Sequence, residues 1–403
     1  MASPARGSLK AFLGTARKAL TAPPTQRQNP LTFVIGNESA DLDSLCSAVL
    51  FAYLRTQTPP HTLHIPLSNL PRADLALRPE LGAVLRPAGL QPDDLLTLSD
   101  LPKHDLRPEN TRWFLVDHNS PTGLASQFCS PSPSDLLIGC IDHHEDEGTI
   151  PSSASPRVFA KCGSCTSLVI DHCRSTWDSV PSYPFPNDEP SISTQLAHLA
   201  LGPILIDTNN LTSKDKTTPL DVNAVEFAES KIQPSAGYNR TAYFEEITRL
   251  KEDISTLSYR DVLRKDYKRW TEGGLVLGIS SVVQGVGYLV TEHGKREEFL
   301  GEMRKWAGEQ ELDIAAVMTV SRPEGRFTRE FLVWAFGEAA VRVVREFVRR
   351  DGEKLGLEAW RGGEMDEAAE GAWRMCWTQR GLEHSRKQVA PMLREAMKEG
   401  AKL

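Results

Sequence analysis

Short apolar runs alternate with helically periodic segments through the first half of the chain. Four apolar runs are predicted to be buried strands: LTFVIG (31–36), LHIPL (63–67), RWFLV (112–116) and LLIGCI (136–141). Three further segments have helical spacing: SLCSAVLFAYLR (44–55), CTSLVIDHCRS (165–175) and STQLAHLALGPILID (193–207). This alternation indicates parallel βαβ units, so we predict an α/β fold with a doubly wound, mainly parallel N-terminal sheet.

Polar side chains gather where these apolar segments end. Four segments finish in this way, at Asp41 and Asp43, at Asp117, at Asp142 and His143, and at Asp207. A single Asp in such a place is usually a helix cap or a turn residue. Ligands of open α/β sheets bind at the carboxyl ends of the strands, however, so the repeated pattern favours one shared site.

The residue types at these ends point to metal chemistry. The candidate ligands supply four carboxylates, one imidazole and one amide: Asn37, Asp41, Asp43, Asp117, His143 and Asp207. These are more ligands, and more negative charge, than one divalent ion needs. We therefore expect two divalent cations, Mg²⁺ or Mn²⁺ with Co²⁺ as a further candidate, that activate water for attack on a phosphoryl group.

The chain is predicted to form two domains behind a helical extension. The expected ranges are 1–29 for the extension, 30–232 for the first domain and 238–403 for a smaller C-terminal α/β domain. The Ser- and Pro-rich stretch 130–135 is predicted to be a surface loop. The basic, amphipathic N-terminal segment suits either a surface helix or a mitochondrial targeting sequence.

Composition limits the classes of binding partner and the cellular compartment that we expect for this protein. A formal net charge of -7 argues against general nucleic-acid binding, and no apolar run reaches the length of a membrane span. Seven cysteines without a framework pattern suit a reducing compartment. We expect a cytoplasmic monomer with no nucleic-acid or membrane partner; the mitochondrial matrix is the alternative location.

Several motifs carry a resemblance to a known family. The stretches GNESADLDS (36–44), LVDHNSPTG (115–123), IDHHEDE (141–147), GSCTSLVI (163–170) and PILIDTNNL (203–211) resemble, in order, the motifs of the DHH phosphoesterase superfamily. VLRKDYKRW (262–270) and EHSRKQVAP (383–391) look like parts of its DHHA2 C-terminal domain. The combination is most similar to fungal cytosolic exopolyphosphatases, which are related to family II inorganic pyrophosphatases and prune proteins.

The resemblance implies a role for each matching residue, with the active site in a cleft between the two domains. Asn37 and Asp41 would face one metal, Asp43, His143 and Asp207 the other, and Asp117 would bridge them. His144 would donate a proton or contact phosphate, and Asp142 would orient the histidines. Three cations of the second domain would bind substrate phosphates: Lys268, Arg386 and Lys387. His118 and Asn119 suit either a supporting or a simple turn role.

The implied activity is that of a metal-dependent exopolyphosphatase, which hydrolyses the terminal phosphoanhydride bond of inorganic polyphosphate and releases orthophosphate. Pyrophosphatases of this type have His where this chain has Asn37, so the substitution shifts the expectation away from pyrophosphate. The alternatives are a pyrophosphatase or short-chain polyphosphatase, a prune-like interaction protein, and a nuclease or cyclic-dinucleotide phosphodiesterase of the same superfamily.

Overall fold

The structure, a computed structural model, describes residues 7–102, 105–129, 136–183, 185, 189–369 and 371–400. The chain divides into two compact units, Met1–Lys251 and Glu252–Leu403. The stretch 130–135, predicted to be a loop, lies outside the described residues. Within the described ranges, every helix is too short or too polar to cross a lipid bilayer.

The first unit is built on a sheet of five parallel strands in the order β2-β1-β3-β4-β5. The strands are β1 (Leu31–Ile35), β2 (His64–Leu67), β3 (Thr111–Val116), β4 (Leu137–Asp142) and β5 (Arg157–Phe159). The four strands predicted from apolar runs are therefore confirmed, and so is their parallel arrangement. All five residues of β1 are buried, as expected for a central strand of such a sheet.

Helices precede, connect and follow these strands and extend the core. They are α1 (Leu9–Thr21), α2 (Leu42–Gln57), α3 (Leu81–Leu85), α4 (Gly123–Cys129), α5 (Cys165–Asp178), α6 (Ile192–Asp207), α7 (Pro219–Ser230) and α8 (Arg240–Glu252). Helix α1 buries Leu9, Phe12, Leu13, Ala16 and Leu20 in the core of this unit. Their spacing of three or four residues puts them on one face of the helix.

The second unit is a mixed sheet of seven strands in the order β10-β12-β9-β8-β7-β6, with β11 beside β12. The strands are β6 (Tyr267–Glu272), β7 (Leu275–Val282), β8 (Ile314–Thr319), β9 (Arg329–Phe336), β10 (Leu357–Ala359), β11 (Glu367–Ala369) and β12 (Ala372–Gln379). The helices are α9 (Tyr259–Lys265), α10 (Val286–Thr291), α11 (Arg296–Glu309), α12 (Glu338–Leu355) and α13 (Arg386–Gly400). Among the residues of this unit that the structure describes, β7 and β8 pair in parallel and the other strand pairs are antiparallel.

The two units meet in sequence at residues 251 and 252, which is later than the predicted interval between 232 and 238. The cause is visible in helix α8. Its Tyr243 and Ile247 belong to the core of the first unit, and the Tyr243 hydroxyl donates to the His198 carbonyl over 2.9 Å. Helix α8 therefore belongs to the first unit, although the pattern of its charged residues suggested that it begins the second.

The register of the parallel strands aligns several residues of the candidate site. Ile35 pairs with Leu115, and Val116 pairs with Ile141. Extending this register beyond the strands brings Asn37, Asp117 and Asp142 into one row at the carboxyl edge of the sheet. Asp207 reaches the site differently, because it ends helix α6 and does not follow a strand.

Asp221 joins helix α7 to the segment that precedes helix α5. It is fully buried, and its carboxylate accepts hydrogen bonds from the amides of Gly163, Ser164 and Thr218 and from the hydroxyls of Ser167 and Thr218. We expect Asp221→Ala to lower the free energy of unfolding by about 3 kcal/mol, because several buried donors lose their acceptor. Equilibrium urea unfolding measures this loss.

The matched control is Asp171→Ala, which removes an exposed carboxylate from helix α5. Its effect should stay within about 0.5 kcal/mol. Equal unfolding free energies for the two variants would contradict the structural role given to Asp221.

Candidate metal centre

The turn from β1 into α2 places Asn37 and Ser44 against Asp117. A side chain at Gly36 would collide with Ser44, since a Cβ atom there would lie 2.6 Å from the Ser44 Cβ. The Ser44 hydroxyl donates to Oδ2 of Asp117 over 2.6 Å, and Nδ2 of Asn37 donates to the same oxygen over 2.8 Å. The Asn37 amide oxygen accepts from the Ser39 N–H, so its nitrogen is the atom that faces Asp117.

Asp117 stands directly after β3 in a left-handed backbone conformation, with φ of 61°. Only 3% of the residue is exposed. Its Oδ1 lies 3.3 Å from Nε2 of His143, while Oδ2 receives the two bonds from the first turn. Asp117 thus contacts residues that follow the first strand and the fourth strand; its bridging of two metals stays a prediction.

The end of β4 completes a tight group of four side chains. Among the described residues, ligand-type atoms of Asp117, Asp142, His143 and His144 all lie within 4.8 Å of one another. Nδ1 of His143 lies 3.1 Å from the Cys162 carbonyl, which can only accept, so that nitrogen carries a proton and Nε2 is the ring atom that faces Asp117. Nε2 hydrogen-bonds to the Asp117 carboxylate, and it would be the atom offered to a cation once its proton is lost.

Asp142 is fully buried and supports His144. Its Oδ1 lies 2.8 Å from Nδ1 of His144, and its Oδ2 accepts from Nδ2 of Asn119 over 2.6 Å. These hydrogen bonds outweigh the effect of burial and lower the pKa of Asp142. The His144 side chain is 41% exposed, so it is the member of the group most open to solvent.

Asn119 organises the loop after β4. Besides Asp142, its amide nitrogen donates to the Glu145 carbonyl, and its amide oxygen accepts from the Glu147 N–H over 2.8 Å. The residue is 1% exposed. The sequence left Asn119 undecided between a turn residue and a supporting one, and these three bonds show a supporting residue. Ser44 was not anticipated; its place three residues after Asp41, in the first turn of α2, was the available signal.

Asp43 is bound mainly to helix α5. Its Oδ1 accepts from the Ser164 hydroxyl and from both the amide and the hydroxyl of Thr166, while Oδ2 accepts from the Cys165 amide over 2.6 Å. It therefore satisfies the free N–H groups at the start of that helix. Oδ2 holds a single hydrogen bond among the described residues, so it keeps an electron pair for a cation.

Asp41 and Asp207 stand outside the group of four. Asp41 caps helix α2, where its Oδ1 accepts from the Ser44 amide over 3.1 Å. Burial and the nearby Asp43 carboxylate raise the pKa of Asp41, and burial with Asp43 and Asp41 raises the pKa of Asp207 well above its ordinary value. The three carboxylates thus act on one another electrostatically without sharing a hydrogen bond.

Excess negative charge is the dominant electrostatic feature of this edge. Burial, followed by the charge of Asp43, raises the pKa of Asp117 to about 8. Burial alone would lower the pKa of His143, but its bonds to Asp117 and Cys162 and the nearby Asp43 raise it. Carboxylates buried at this density need positive charge, which protons or divalent cations can supply.

The donor set fits divalent cations. Carboxylate oxygens suit Mg²⁺ and Mn²⁺, and a neutral imidazole nitrogen adds preference for Mn²⁺ or Co²⁺. Asp117 and His143 present the most direct pair of donors. The charge of Asp43 acts on both, that of Asp41 acts on Asp117, and Asp207 interacts with Asp43 and Asp41. Asn37, as oriented here, supports Asp117 as a hydrogen-bond donor.

The predicted phosphate ligands all lie in the second unit. Lys268 is exposed near the start of β6, and Lys387 is exposed in the first turn of α13. Arg386 contacts Asp266 twice, through its carbonyl over 2.8 Å and its Oδ1 over 2.7 Å. The Arg386–Asp266 contact joins the start of α13 to the residue before β6.

Two family models match this chain. The DHH family N-terminal domain matches residues 32–204, and the DHHA2 domain matches residues 245–396. A Schizosaccharomyces pombe protein named "Putative exopolyphosphatase" is 34% identical over 374 residues, which cover 92% of each chain. The predicted resemblance is therefore confirmed.

Other relatives match at lower identity. The human "Exopolyphosphatase PRUNE1" is 26% identical over 73% of this chain, and the match spans 61% of the human protein, less than two thirds of its length. A "Manganese-dependent inorganic pyrophosphatase" of Methanothrix thermoacetophila is 25% identical over 71% of this chain and 80% of its own.

The fold also has a counterpart among solved structures. The crystal structure of a Methanococcus jannaschii "putative family II inorganic pyrophosphatase" matches with a TM-score of 0.55 at 19% identity, covering 91% of this chain and 99% of that one. At this identity the match shows a common fold.

Asp117→Asn separates the stability of this centre from its metal binding. Asn tolerates the left-handed backbone, its oxygen can accept from Ser44 and Asn37, and its NH₂ can donate to Nε2 of His143. Because one buried charge is removed, we expect the metal-free Tm to be equal to or above that of the wild type. Mn²⁺ should raise the Tm of the wild type by several degrees and leave that of the variant unchanged.

Differential scanning fluorimetry with a chelator and then with excess Mn²⁺ makes this comparison. Asp171→Asn, which changes an exposed carboxylate of α5, should respond to Mn²⁺ as the wild type does. A full Mn²⁺ response in Asp117→Asn would exclude Asp117 as a ligand.

Proposed function

Since this chain belongs to the DHH family and carries a DHHA2 domain, we propose that it is a metal-dependent exopolyphosphatase. It would hydrolyse the terminal phosphoanhydride bond of inorganic polyphosphate and release orthophosphate. The observation that carries the proposal is the close group of buried Asp117 and Asp142 with His143 and His144, set at the carboxyl edge of a parallel sheet.

The residues divide into metal-holding and supporting groups. Asp117 and Nε2 of His143 would hold divalent cations together with the carboxylates of Asp41, Asp43 and Asp207. Two Mg²⁺ or Mn²⁺ ions would use this set fully, and when bound they supply Lewis acidity that activates water and offsets phosphate charge. Asn37 and Ser44 fix the orientation of Asp117 through the two hydrogen bonds to its Oδ2.

His144 would donate a proton or contact phosphate. Asp142 holds its Nδ1 at 2.8 Å, and this contact leaves Nε2 free to address a substrate from the solvent side. Asn119 in turn fixes Asp142. A phosphate leaving group needs little protonation, so His144 acts mainly by donating a hydrogen bond to a phosphoryl oxygen.

Lys268, Arg386 and Lys387 would bind the phosphates of the substrate. Arginine can hold a phosphate oxygen pair with two N–H groups, whereas lysine supplies a compact charge. Arg386 is aligned by Asp266, which already accepts two of its N–H groups. Lys387 is exposed and contributes a charge that a polyanion can reach.

The choice of polyphosphate over pyrophosphate rests on two observations. The Schizosaccharomyces pombe protein named "Putative exopolyphosphatase" is 34% identical over 92% of both chains. Asn37 also replaces the histidine that the resemblance associates with pyrophosphatases. Pyrophosphatase activity is the second candidate, favoured by the 25% identity to the Methanothrix protein.

Phosphate release from pyrophosphate, tripolyphosphate and long-chain polyphosphate tests the proposal directly. With Mg²⁺ or Mn²⁺ present, we expect kcat/KM to be higher for both polyphosphates than for pyrophosphate. A chelator should abolish release and added metal should restore it. Asp117→Ala should lower kcat at least about a hundredfold. Release from pyrophosphate alone would refute the exopolyphosphatase assignment.

Lys387→Ala tests the cationic side of the site. Loss of one exposed charge should raise KM for every phosphate substrate by up to about fivefold, with kcat nearly constant. Lys305→Ala, which removes an exposed lysine from helix α11, is the matched control. If both variants have wild-type KM values on every substrate, Lys387 does not bind substrate.

A further inference from the structure

One end of the sheet in the second unit collects positive charge. Strand β7 is antiparallel to β6 and β8 is antiparallel to β9, so the carboxyl ends of β7 and β8 lie beside the starts of β6 and β9. Strand β12 also finishes there, because Gln379 pairs with Arg329. Lys268 near the start of β6 and Arg329 at the start of β9 therefore lie at the same end.

The loop between β8 and β9 adds further arginines at this end. We call residues 321–329 the arginine hairpin; its base is closed by paired backbone hydrogen bonds between Ser321 and Thr328, of 3.2 and 2.9 Å. Two guanidinium groups lie over the ring of Phe327, that of Arg322 5.7 Å and that of Arg329 5.0 Å from its centre. Arg326, the residue before Phe327, is exposed.

A hydrogen bond links the arginine hairpin to the segment that carries Arg386 and Lys387. Nε of Arg329 donates to the Leu382 carbonyl over 2.7 Å. Gln379 holds the same loop by donating to the carbonyls of Gly381 and His384. The arginine hairpin and the start of α13 therefore belong to one connected surface within the second unit.

The arginines of this surface differ in how far they are neutralised. Arg322 lies 3.7 Å from Glu252, and Arg386 is paired with Asp266. Across the described ranges, neither Arg326 nor Arg329 has a carboxylate within 4.0 Å. In a protein of formal net charge -7, two guanidinium groups without a carboxylate partner in one hairpin mark a surface that attracts anions.

We propose that the arginine hairpin binds phosphate groups of a polyphosphate chain beyond those held by Lys268, Arg386 and Lys387. The proposal rests on the proposed function, since it assumes that those three residues bind substrate. Strands β6 and β9 are separated by three strand intervals, about 14 Å at the usual spacing. Pyrophosphate, two phosphates joined by one oxygen, is too short for that span, whereas a long chain covers it.

The arginine hairpin is therefore a chain-length determinant. Arg326 and Arg329 present guanidinium groups that can each hold a pair of phosphoryl oxygens. Phe327 and the Leu382 contact hold Arg329 in place, so less side-chain entropy is lost on binding. Long chains should gain affinity from these contacts, and short ones should not.

The test compares Arg326→Ala with the matched control Arg342→Ala. Arg342 is an exposed arginine of helix α12, which follows the opposite end of β9. We expect Arg326→Ala to raise the ratio of KM for long-chain polyphosphate to KM for tripolyphosphate between about twofold and fivefold. Arg326→Glu should raise it further, and Arg342→Ala should leave it unchanged. An unchanged ratio in both Arg326 variants would overturn the proposal.

Direct binding separates this inference from the proposed function. Titration calorimetry with long-chain polyphosphate, in the presence of chelator, needs no turnover. The slope of log Kd against log salt should fall by about 0.7 in Arg326→Ala, as for the loss of one phosphate contact on a flexible polyanion. If the wild type hydrolyses no phosphoanhydride but this slope falls, only the proposed function fails.

A single-stranded oligonucleotide is the competing polyanion. If it displaces polyphosphate at equal phosphate concentration, and Arg326→Ala weakens both ligands alike, the arginine hairpin is a general anion surface and the proposal is overturned. Selective loss of polyphosphate binding supports it.

Discussion

Crowding of carboxylates at one buried edge is the constraint on which the rest of the site depends. Parallel register brings Asn37, Asp117 and Asp142 into one row, and the first turn of α2 adds Asp43. Burial, and after it the charge of Asp43, raises the pKa of Asp117 to about 8. The fold thus holds carboxylates that repel one another, and divalent cations bound among them would relieve that repulsion.

Hydrogen bonds around this edge hold the carboxylates in place against their mutual repulsion. Asp43 is tied to the start of helix α5, and Asn119 is tied to Asp142 and to the loop after β4. Such contacts fix where each carboxylate oxygen points before any ion arrives, which lowers the cost of assembling the site on binding. The Cys162 carbonyl orients the His143 ring in the same way, because it accepts the hydrogen bond from Nδ1.

The sequence predicted the strands and helices of the first unit well, because apolar runs and polar ends follow local periodicity. It could not predict which donor reaches which oxygen. That Asn37 faces Asp117 with its nitrogen, and that Arg386 contacts Asp266, depends on side-chain rotamers and on residues far away in the chain. The unit boundary shifted to residue 251 for a similar reason, since the charged helix α8 buries Tyr243 and Ile247 in the first core.

The most direct test of the account is the position of bound metal. Crystals grown with Mn²⁺ and measured at a wavelength where manganese scatters anomalously would locate it. The account predicts an anomalous peak in contact with Asp117 and with Nε2 of His143, and a second peak that shares Asp117. Peaks only elsewhere, or no peak at saturating Mn²⁺, would contradict the claim that this acidic edge is a metal centre.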